Sequence, residues 1–329
     1  MSTIGTPPLL TLNDGHAHPQ IGFGTYKVGF IPASASSAGG TATGQGGDAK
    51  ATVQTALQLG YRFLDCAEFY GNEAAVGEAI VASGIARSEL YLASKVWSDT
   101  LYAGRAAIRA QVERSLCELQ TDYLDLYLVH WPVPGKHVLA YKHLEELQAE
   151  GKLRSIGVSN YTVEDYQELM AHAVVTPAVN QIEVNPFLYR KQTIDFFQKE
   201  GVAVQAYRSL RQGKEMEHPT IAAIAAAHAG KSPAQPSSAQ VLGAWALQKG
   251  LIYIPKSEKP ERMLENAAVL DWELSEAEVA QLDGLTSEHT IAEFHALYCK
   301  CVVRDTPLAA LDPAGKNPAQ GVKTDITAG

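Results

Sequence analysis

Basic charge is in short supply: 27 Lys and Arg stand against 36 Asp and Glu in 329 residues, a formal charge of −9. Neutralising a nucleic-acid backbone takes a surplus of cations, so this balance argues against a nucleic-acid partner. It leaves room for a local basic pocket that takes one small phosphorylated ligand. Cysteine is scarce as well. Cys66, Cys117, Cys299 and Cys301 show no CxxC spacing, which fits a thiol-reducing compartment better than a disulfide framework. Met1 to Pro8 carry neither the charged n-region nor the apolar h-region of a secretory signal. No run approaches the ~18 apolar residues that a membrane span needs. A cytoplasmic protein with no membrane partner, monomeric or weakly dimeric, is the expectation. The sequence also lacks a dinucleotide fingerprint: Gly22-Phe23-Gly24 offers G-x-G, but Lys27 stands where the third glycine belongs. His16-x-His18 and Cys299-x-Cys301 have the spacing of metal-ligand pairs without a third and fourth ligand, so no metal is expected.

What is present is a regular alternation. The chain opens as a hairpin, Leu10-Thr11-Leu12, a turn at Asn13-Asp14-Gly15, then an apolar segment reaching Thr25. Strand-like runs follow at Phe63–Cys66, Leu90–Lys95, Leu124–His130, Ser155–Ser159, Val179–Val184, Val202–Tyr207 and Leu251–Pro255. Helical patterns separate them at Ala49–Leu59, Glu73–Val81, Ala103–Leu119, Leu139–Glu150, Val163–His172 and Thr193–Lys199. With a strand near Gly22–Thr25 there are eight β units, each followed by a helix-length segment. That order predicts a parallel sheet with crossover helices, closed as a (β/α)8 TIM barrel over roughly residues 19–285 with an N-terminal β-hairpin. An open doubly wound sheet is the alternative. Three stretches break the rhythm: the Ala/Ser/Gly/Thr-rich loop Ala33–Gly47, the prolines Pro233 and Pro236, and a Pro/Gly/Ala-rich tail over 307–329. The first is expected to be a flexible insertion and the tail to lie extended over the surface. All of this is read as one domain spanning 1–329.

Barrel enzymes place their chemistry at the C-terminal ends of strands, on one face. Asp65, Lys95 and His130 end three consecutive strand runs, and Tyr70 lies in the loop Glu68-Phe69-Tyr70-Gly71-Asn72 just beyond the first. Singly, each has an ordinary explanation: a strand-end cap, a surface lysine, a loop aromatic, a core histidine. Together they are chemically complementary. The Lys95 ammonium would favour the Tyr70 phenolate and lower its pKa, and Asp65 would hold Lys95 in place. His130 could donate to a carbonyl oxygen, with Tyr70 as the general acid that protonates the alkoxide.

The segment Gly60-Tyr61-Arg62-Phe63-Leu64-Asp65-Cys66-Ala67-Glu68-Phe69-Tyr70-Gly71-Asn72-Glu73, with Val76-Gly77 after it, resembles the first signature of the aldo-keto reductase superfamily. Asp122–Pro132, Gly151–Asn160 and Ile254-Pro255-Lys256-Ser257 resemble further motifs of that family, in its order. The resemblance runs from about Leu10 to Leu285. It implies NADPH/NADP+ as cofactor and a small-molecule carbonyl as substrate, with Asp65, Tyr70, Lys95 and His130 as the catalytic group. It also implies that Lys256, Ser257 and Arg262 bind the 2′-phosphate and that Glu265 and Asn266 meet the adenine. Ser159, Asn160 and Gln181 would hold the nicotinamide amide, Tyr207 would stack on its ring, and Thr25, Arg208 and Leu210 would complete the cofactor contacts. Tyr26, Phe69 and Trp131, with Phe23, would form an aromatic substrate wall.

Two departures from the family pattern stand out. Its Ala-Tyr-Ser-Pro-Leu reads Ala206-Tyr207-Arg208-Ser209-Leu210, leaving Arg208 either paired with phosphate or pointing to solvent. The loop after the fourth strand, Trp131–Lys136, is short, while Ala33–Gly47 lengthens the loop after the first, as either a partial lid or an inert insertion. A second reading, from another class, is a non-catalytic NADPH-binding regulatory subunit on the same barrel.

Overall fold

The computed structural model describes residues 3–29, 47–229 and 235–295; residues 33–46 of the low-complexity loop, Pro233, Cys299, Cys301 and the tail over 307–329 lie outside them. The hairpin is formed by β1 (Leu9–Thr11) and β2 (Ala17–Pro19), antiparallel, with Leu9 opposite Pro19. Its second arm was expected to run on to Thr25. It stops instead at Pro19: one further bond runs from Gln20 N to the Pro8 carbonyl at 2.8 Å, and Pro8 has no N–H to return it. The chain then changes partner: the Gln20 carbonyl accepts from Tyr253 N at 2.8 Å, and β3 (Phe23–Gly24) joins a parallel sheet.

That sheet continues through β4 (Phe63–Asp65), β5 (Tyr91–Val96), β6 (Leu124–Val129), β7 (Leu153–Ser159), β8 (Val179–Glu183), β9 (Ala203–Tyr207) and β10 (Ile252–Tyr253), each hydrogen-bonded to the next. A parallel bridge between Ile21 and Tyr253, with Gly22 N donating to Tyr253 O at 2.9 Å and Gly24 N to Pro255 O at 3.0 Å, joins the last strand to the first. The sheet is therefore a closed eight-stranded barrel, and the open-sheet alternative falls.

The crossover helices are α1 (Ala49–Leu59), α2 (Glu73–Ser83), α3 (Ser98–Ala103), α4 (Arg105–Glu118), α5 (His137–Ala149), α6 (Val163–Met170), α7 (Lys191–Lys199), α8 (Pro219–Ala227), α9 (Ser238–Gln248), α10 (Pro260–Ala267) and α11 (Glu276–Asp283). Residues 288–295 are helical too. Local chemistry sets several boundaries. The Asp48 side chain accepts from Ala51 N to start α1, and Thr162/Asp165, Ser237/Gln240 and Ser275/Glu278 form capping boxes on α6, α9 and α11. The single helix expected over Ala103–Leu119 is two, because Gly104 sits at φ +88° and ends α3 before α4 begins.

Strands covered on both sides need apolar residues throughout, which explains their near-continuous hydrophobic runs. Phe63, Ala93, Leu126, Leu128, Val179 and Ile252 fill the barrel interior, and Leu12 of the hairpin joins them. Gly77 lets α2 lie against α4: a Cβ there would come within 2.0 Å of the Glu118 carbonyl oxygen.

One carboxylate is buried between these layers. Glu73, at the start of α2, accepts from Ser94 Oγ of β5 at 2.5 Å and from Ser115 Oγ of α4 at 2.8 Å. Burial pushes its carboxyl up to about 7 in spite of both donors. The unfolded chain has released that proton once the pH passes 4.5, while the folded protein keeps it to about 7. Stability therefore falls as pH rises across that window, by roughly 3 kcal/mol at about 1.36 kcal/mol per unit, and is level above it. Glu73→Gln is expected to unfold at higher urea than the wild type at pH 8 and to lose the difference at pH 5. Parallel pH profiles for the two proteins would refute the assignment.

Candidate active site

The polar exceptions to the apolar interior gather at the C-terminal mouth of the barrel. Lys95, next to last in β5, is fully buried, and its Nζ donates to Asp65 Oδ1 and Oδ2 at 2.8 and 2.9 Å and to the Cys66 carbonyl at 2.8 Å. Its remaining contact is Tyr70 Oη at 3.2 Å. Tyr70 closes a 3-10 turn, Glu68–Tyr70, whose Glu68 carboxylate accepts from Trp97 N and Thr100 Oγ1, both at 2.6 Å. That clamp pins the turn to the end of β5. His130 follows β6, with its ring 5.9 Å from that of Tyr70. Since Lys95 donates to the phenol oxygen, the phenol's own proton is free to point into the cavity.

Electrostatically the group differs from what the sequence suggested. The phenol of Tyr70 was expected to be lowered by Lys95; instead burial pushes it well above its ordinary value, and the Asp65 carboxylate pushes the same way. The reason is that a phenolate in this dry site would lose its hydration and face the Asp65 carboxylate. Tyr70 therefore keeps its proton. Burial, with the Lys95 charge behind it, holds the His130 ring well below its ordinary value, so the imidazole is neutral around pH 7. Its Nδ1 is buried and has no hydrogen-bond partner among the described residues.

A cavity of about 1030 Å³ opens over this group. Tyr26, Phe69, Trp97, Trp131 and Phe294 give it an aromatic side around Tyr70 and His130. Phe69 stacks on Trp97 at 3.9 Å, and Trp97 meets the His130 ring edge-on at 4.9 Å. Phe23 is not on this wall; it faces the outer core against Tyr61 at 5.5 Å. The short loop after β6 is as expected, running from Trp131 straight into α5 at His137.

Of the cofactor residues inferred from the sequence, Asn160, Gln181, Tyr207, Arg208, Leu210, Lys256, Ser257, Arg262, Glu265 and Asn266 line the cavity. Thr25 and Ser159 lie behind its wall: Thr25 Oγ1 donates to the Asp65 carbonyl at 2.9 Å and Ser159 Oγ to the Gln181 carbonyl at 2.8 Å. Tyr207 Oη donates to Asn160 Oδ1 at 2.7 Å, and Asn160 Nδ2 to the His130 carbonyl at 3.0 Å. Arg208 was left open between a phosphate partner and solvent. It turns to the cavity and pairs with Glu183 at 2.9 Å. Lys256 likewise pairs with Glu258 at 2.8 Å, whereas Arg262 makes no ion pair among the described residues.

Trp97, Lys27, Glu183 and Gln205 were not singled out in the sequence. Three of them carry a period-two signal: Trp97 lies two residues beyond Lys95, Glu183 two beyond Gln181, and Gln205 two before Tyr207, so each shares its neighbour's face. Lys27 is lowered by burial first, then by the positive charges of Arg208 and Lys256. Four of the six non-glycine residues at positive φ among the described residues, Lys27, Asn160, Arg208 and Gln212, line the cavity, where backbone strain commonly accompanies ligand binding.

Comparison with known proteins places this architecture. The model of the Aldo/keto reductase family matches residues 21–287. The chain is 42% identical over 282 residues to an aldo-keto reductase of Mycolicibacterium smegmatis, covering 84% of this chain and 93% of the relative. It is 38% identical over 280 residues to the glyoxal reductase of Bacillus subtilis, covering 85% and 93%. The crystal structure of a Bombyx mori aldo-keto reductase in complex with NADP superposes with a TM-score of 0.74 at 28% identity, covering 86% of this chain and 94% of that one.

Proposed function

This chain belongs to the aldo/keto reductase family, and from that membership we propose that it reduces an aldehyde or ketone to the alcohol with NADPH, Tyr70 supplying the proton. The observation that carries the reading is the contact chain Asp65–Lys95–Tyr70 in the cavity wall beside His130. Bound NADPH supplies the hydride. The chain's own part is to orient the carbonyl and to protonate its oxygen. The neutral His130 ring, facing the cavity, donates a hydrogen bond to that oxygen without adding a second positive charge beside Lys95. Tyr70 Oη gives up its proton as charge develops on the oxygen, and Lys95, already donating to Oη, stabilises the phenolate that results.

The residues present suit a phosphorylated nucleotide. The charges of Arg208 and Lys256 bear on Lys27, a concentration of positive potential suited to a diphosphate. Lys256, Ser257 and Arg262 line the cavity beside the N-terminus of α10, where backbone N–H groups also favour an anion. Tyr207 offers a ring face, and Asn160 and Gln181 offer amides. The aromatic wall suits apolar and aromatic carbonyls. No helix among the described residues is long and apolar enough to cross a membrane.

The test is NADPH oxidation followed by absorbance over sugars, aromatic aldehydes, diketones and keto esters, with aromatic aldehydes expected to turn over best. Absence of turnover above background with every carbonyl, despite NADPH binding, would refute it. Arg262→Ala is expected to raise the NADPH Michaelis constant about tenfold and the NADH constant little, because a single ion pair to phosphate is lost. Glu258→Gln, which frees Lys256 from its own carboxylate, should move the NADPH constant the other way. Equal changes for both nucleotides would remove the 2′-phosphate role from these residues.

A further inference from the structure

Behind the catalytic group lies a side chain that neither catalysis nor cofactor binding uses. Gln205 of β9 is fully buried inside the barrel, where β9 pairs with β8 and sets Gln205 opposite Gln181. Both carboxamides donate to the same atom: Gln181 Nε2 reaches Asp65 Oδ1 at 2.7 Å and Gln205 Nε2 at 3.2 Å. The other side of Gln205 is poorly served. Its Oε1 is buried and has no partner among the described residues. The nearby His18 ring of the hairpin does not supply one. Its Nδ1 lies 2.7 Å from the Pro19 carbonyl and must carry the proton there, so Nε2 presents a lone pair. Nε2 is itself buried and has no partner among the described residues. Flipping the amide would turn its oxygen towards the Asp65 carboxylate, which is worse.

A buried amide with half of its hydrogen-bonding capacity unmet destabilises a fold relative to an apolar side chain of the same size. Packing alone therefore gives no reason for glutamine at this position. We propose that Gln205 is a positioning residue for the reduction, holding the Asp65 carboxylate so that Asp65 in turn aims Lys95 at Tyr70. The proposal rests on the reductase reading above. Gln181 lines the cavity and is available to a ligand, whereas Gln205 does not line it, so its hold on Asp65 is independent of what occupies the site. The titratable groups around this carboxylate are Lys95, Tyr70 and Cys66, with Tyr207 beyond Tyr70.

The experiment compares wild type, Gln205→Met, which keeps the length without the donor, and Gln205→Asn, which keeps the amide but falls short. Each is assayed for kcat, for NADPH affinity by direct titration and for Tm. In both variants kcat should fall about tenfold while the NADPH dissociation constant stays within about twofold. Gln205→Met should melt no lower than wild type, since the orphaned oxygen is gone. Unchanged kcat in either folded variant would overturn the proposal. So would a kcat loss that tracks a fall in Tm and an equal loss of NADPH affinity, which is the mark of a structural role. Failure of the wild type to turn over any carbonyl would instead refute the reductase reading.

Discussion

Tyr70→Phe is expected to lower kcat by about 10²–10⁴-fold, the usual worth of a general acid, with the dissociation constant for NADPH within about twofold of wild type. The substitution removes one oxygen. The ring stays where it packs, 5.0 Å from Tyr26 and edge-on to His130, and Lys95 keeps its contacts to Asp65 and to the Cys66 carbonyl. Any loss of turnover is then a loss of the proton donor. Steady-state assays combined with fluorescence titration of NADPH separate the two quantities. A variant that keeps most of its turnover number would take the acid role away from Tyr70. Because burial raises the phenol rather than lowering it, the wild type should also show no alkaline limb in kcat/KM around neutrality. An inflection there that disappears in Tyr70→Phe would contradict this reading.

Lys95→Met should cost both activity and stability. Lys95 and Asp65 are buried together, and removing one partner leaves an uncompensated charge, typically worth about 3–5 kcal/mol. For a chain of this size that corresponds to a fall in Tm of roughly 5–8 °C. The double variant Asp65→Asn with Lys95→Met removes both charges and should recover most of the stability, while turnover stays lost. Thermal melts and carbonyl assays on the same preparations check this. Recovery of activity along with stability would mean that the pair serves the fold and not the proton transfer.

These expectations differ in how far they could be read from the sequence. Asp65, Lys95 and His130 were visible because each is a charged or titratable residue at the end of an apolar strand run, a place where burial without a purpose is costly. Helix α1 was visible from its period over Ala49–Leu59. The division of α3 from α4 was in principle visible at Gly104, but the helical pattern on either side masked it. The early end of the hairpin at Pro19 was hidden for a different reason. The residues after it are as apolar as before, and only the change of partner, from β1 to β10, marks the boundary.

Pairing is where reading along the chain ran out. Alternation within β8 and β9 assigns Glu183, Gln205 and Tyr207 to faces, but it does not say that Arg208 will find Glu183 or that Gln205 will reach Asp65, which lies 140 positions away. The direction in which Tyr70 shifts was likewise a matter of competition. The sequence supplied an ammonium and a carboxylate, and the outcome depended on how deeply the phenol is buried.

The order of residues by itself determined an eight-unit β/α alternation and the kinds of side chain at the mouth of the barrel, because period and strand-end polarity are local properties. Closure of the sheet, the counter-charges of Arg208 and Lys256, and the protonation of Tyr70, His130 and Glu73 were decided only in three dimensions. Each depends on distance and desolvation between segments far apart in the chain, and neither quantity exists until the barrel has closed around them.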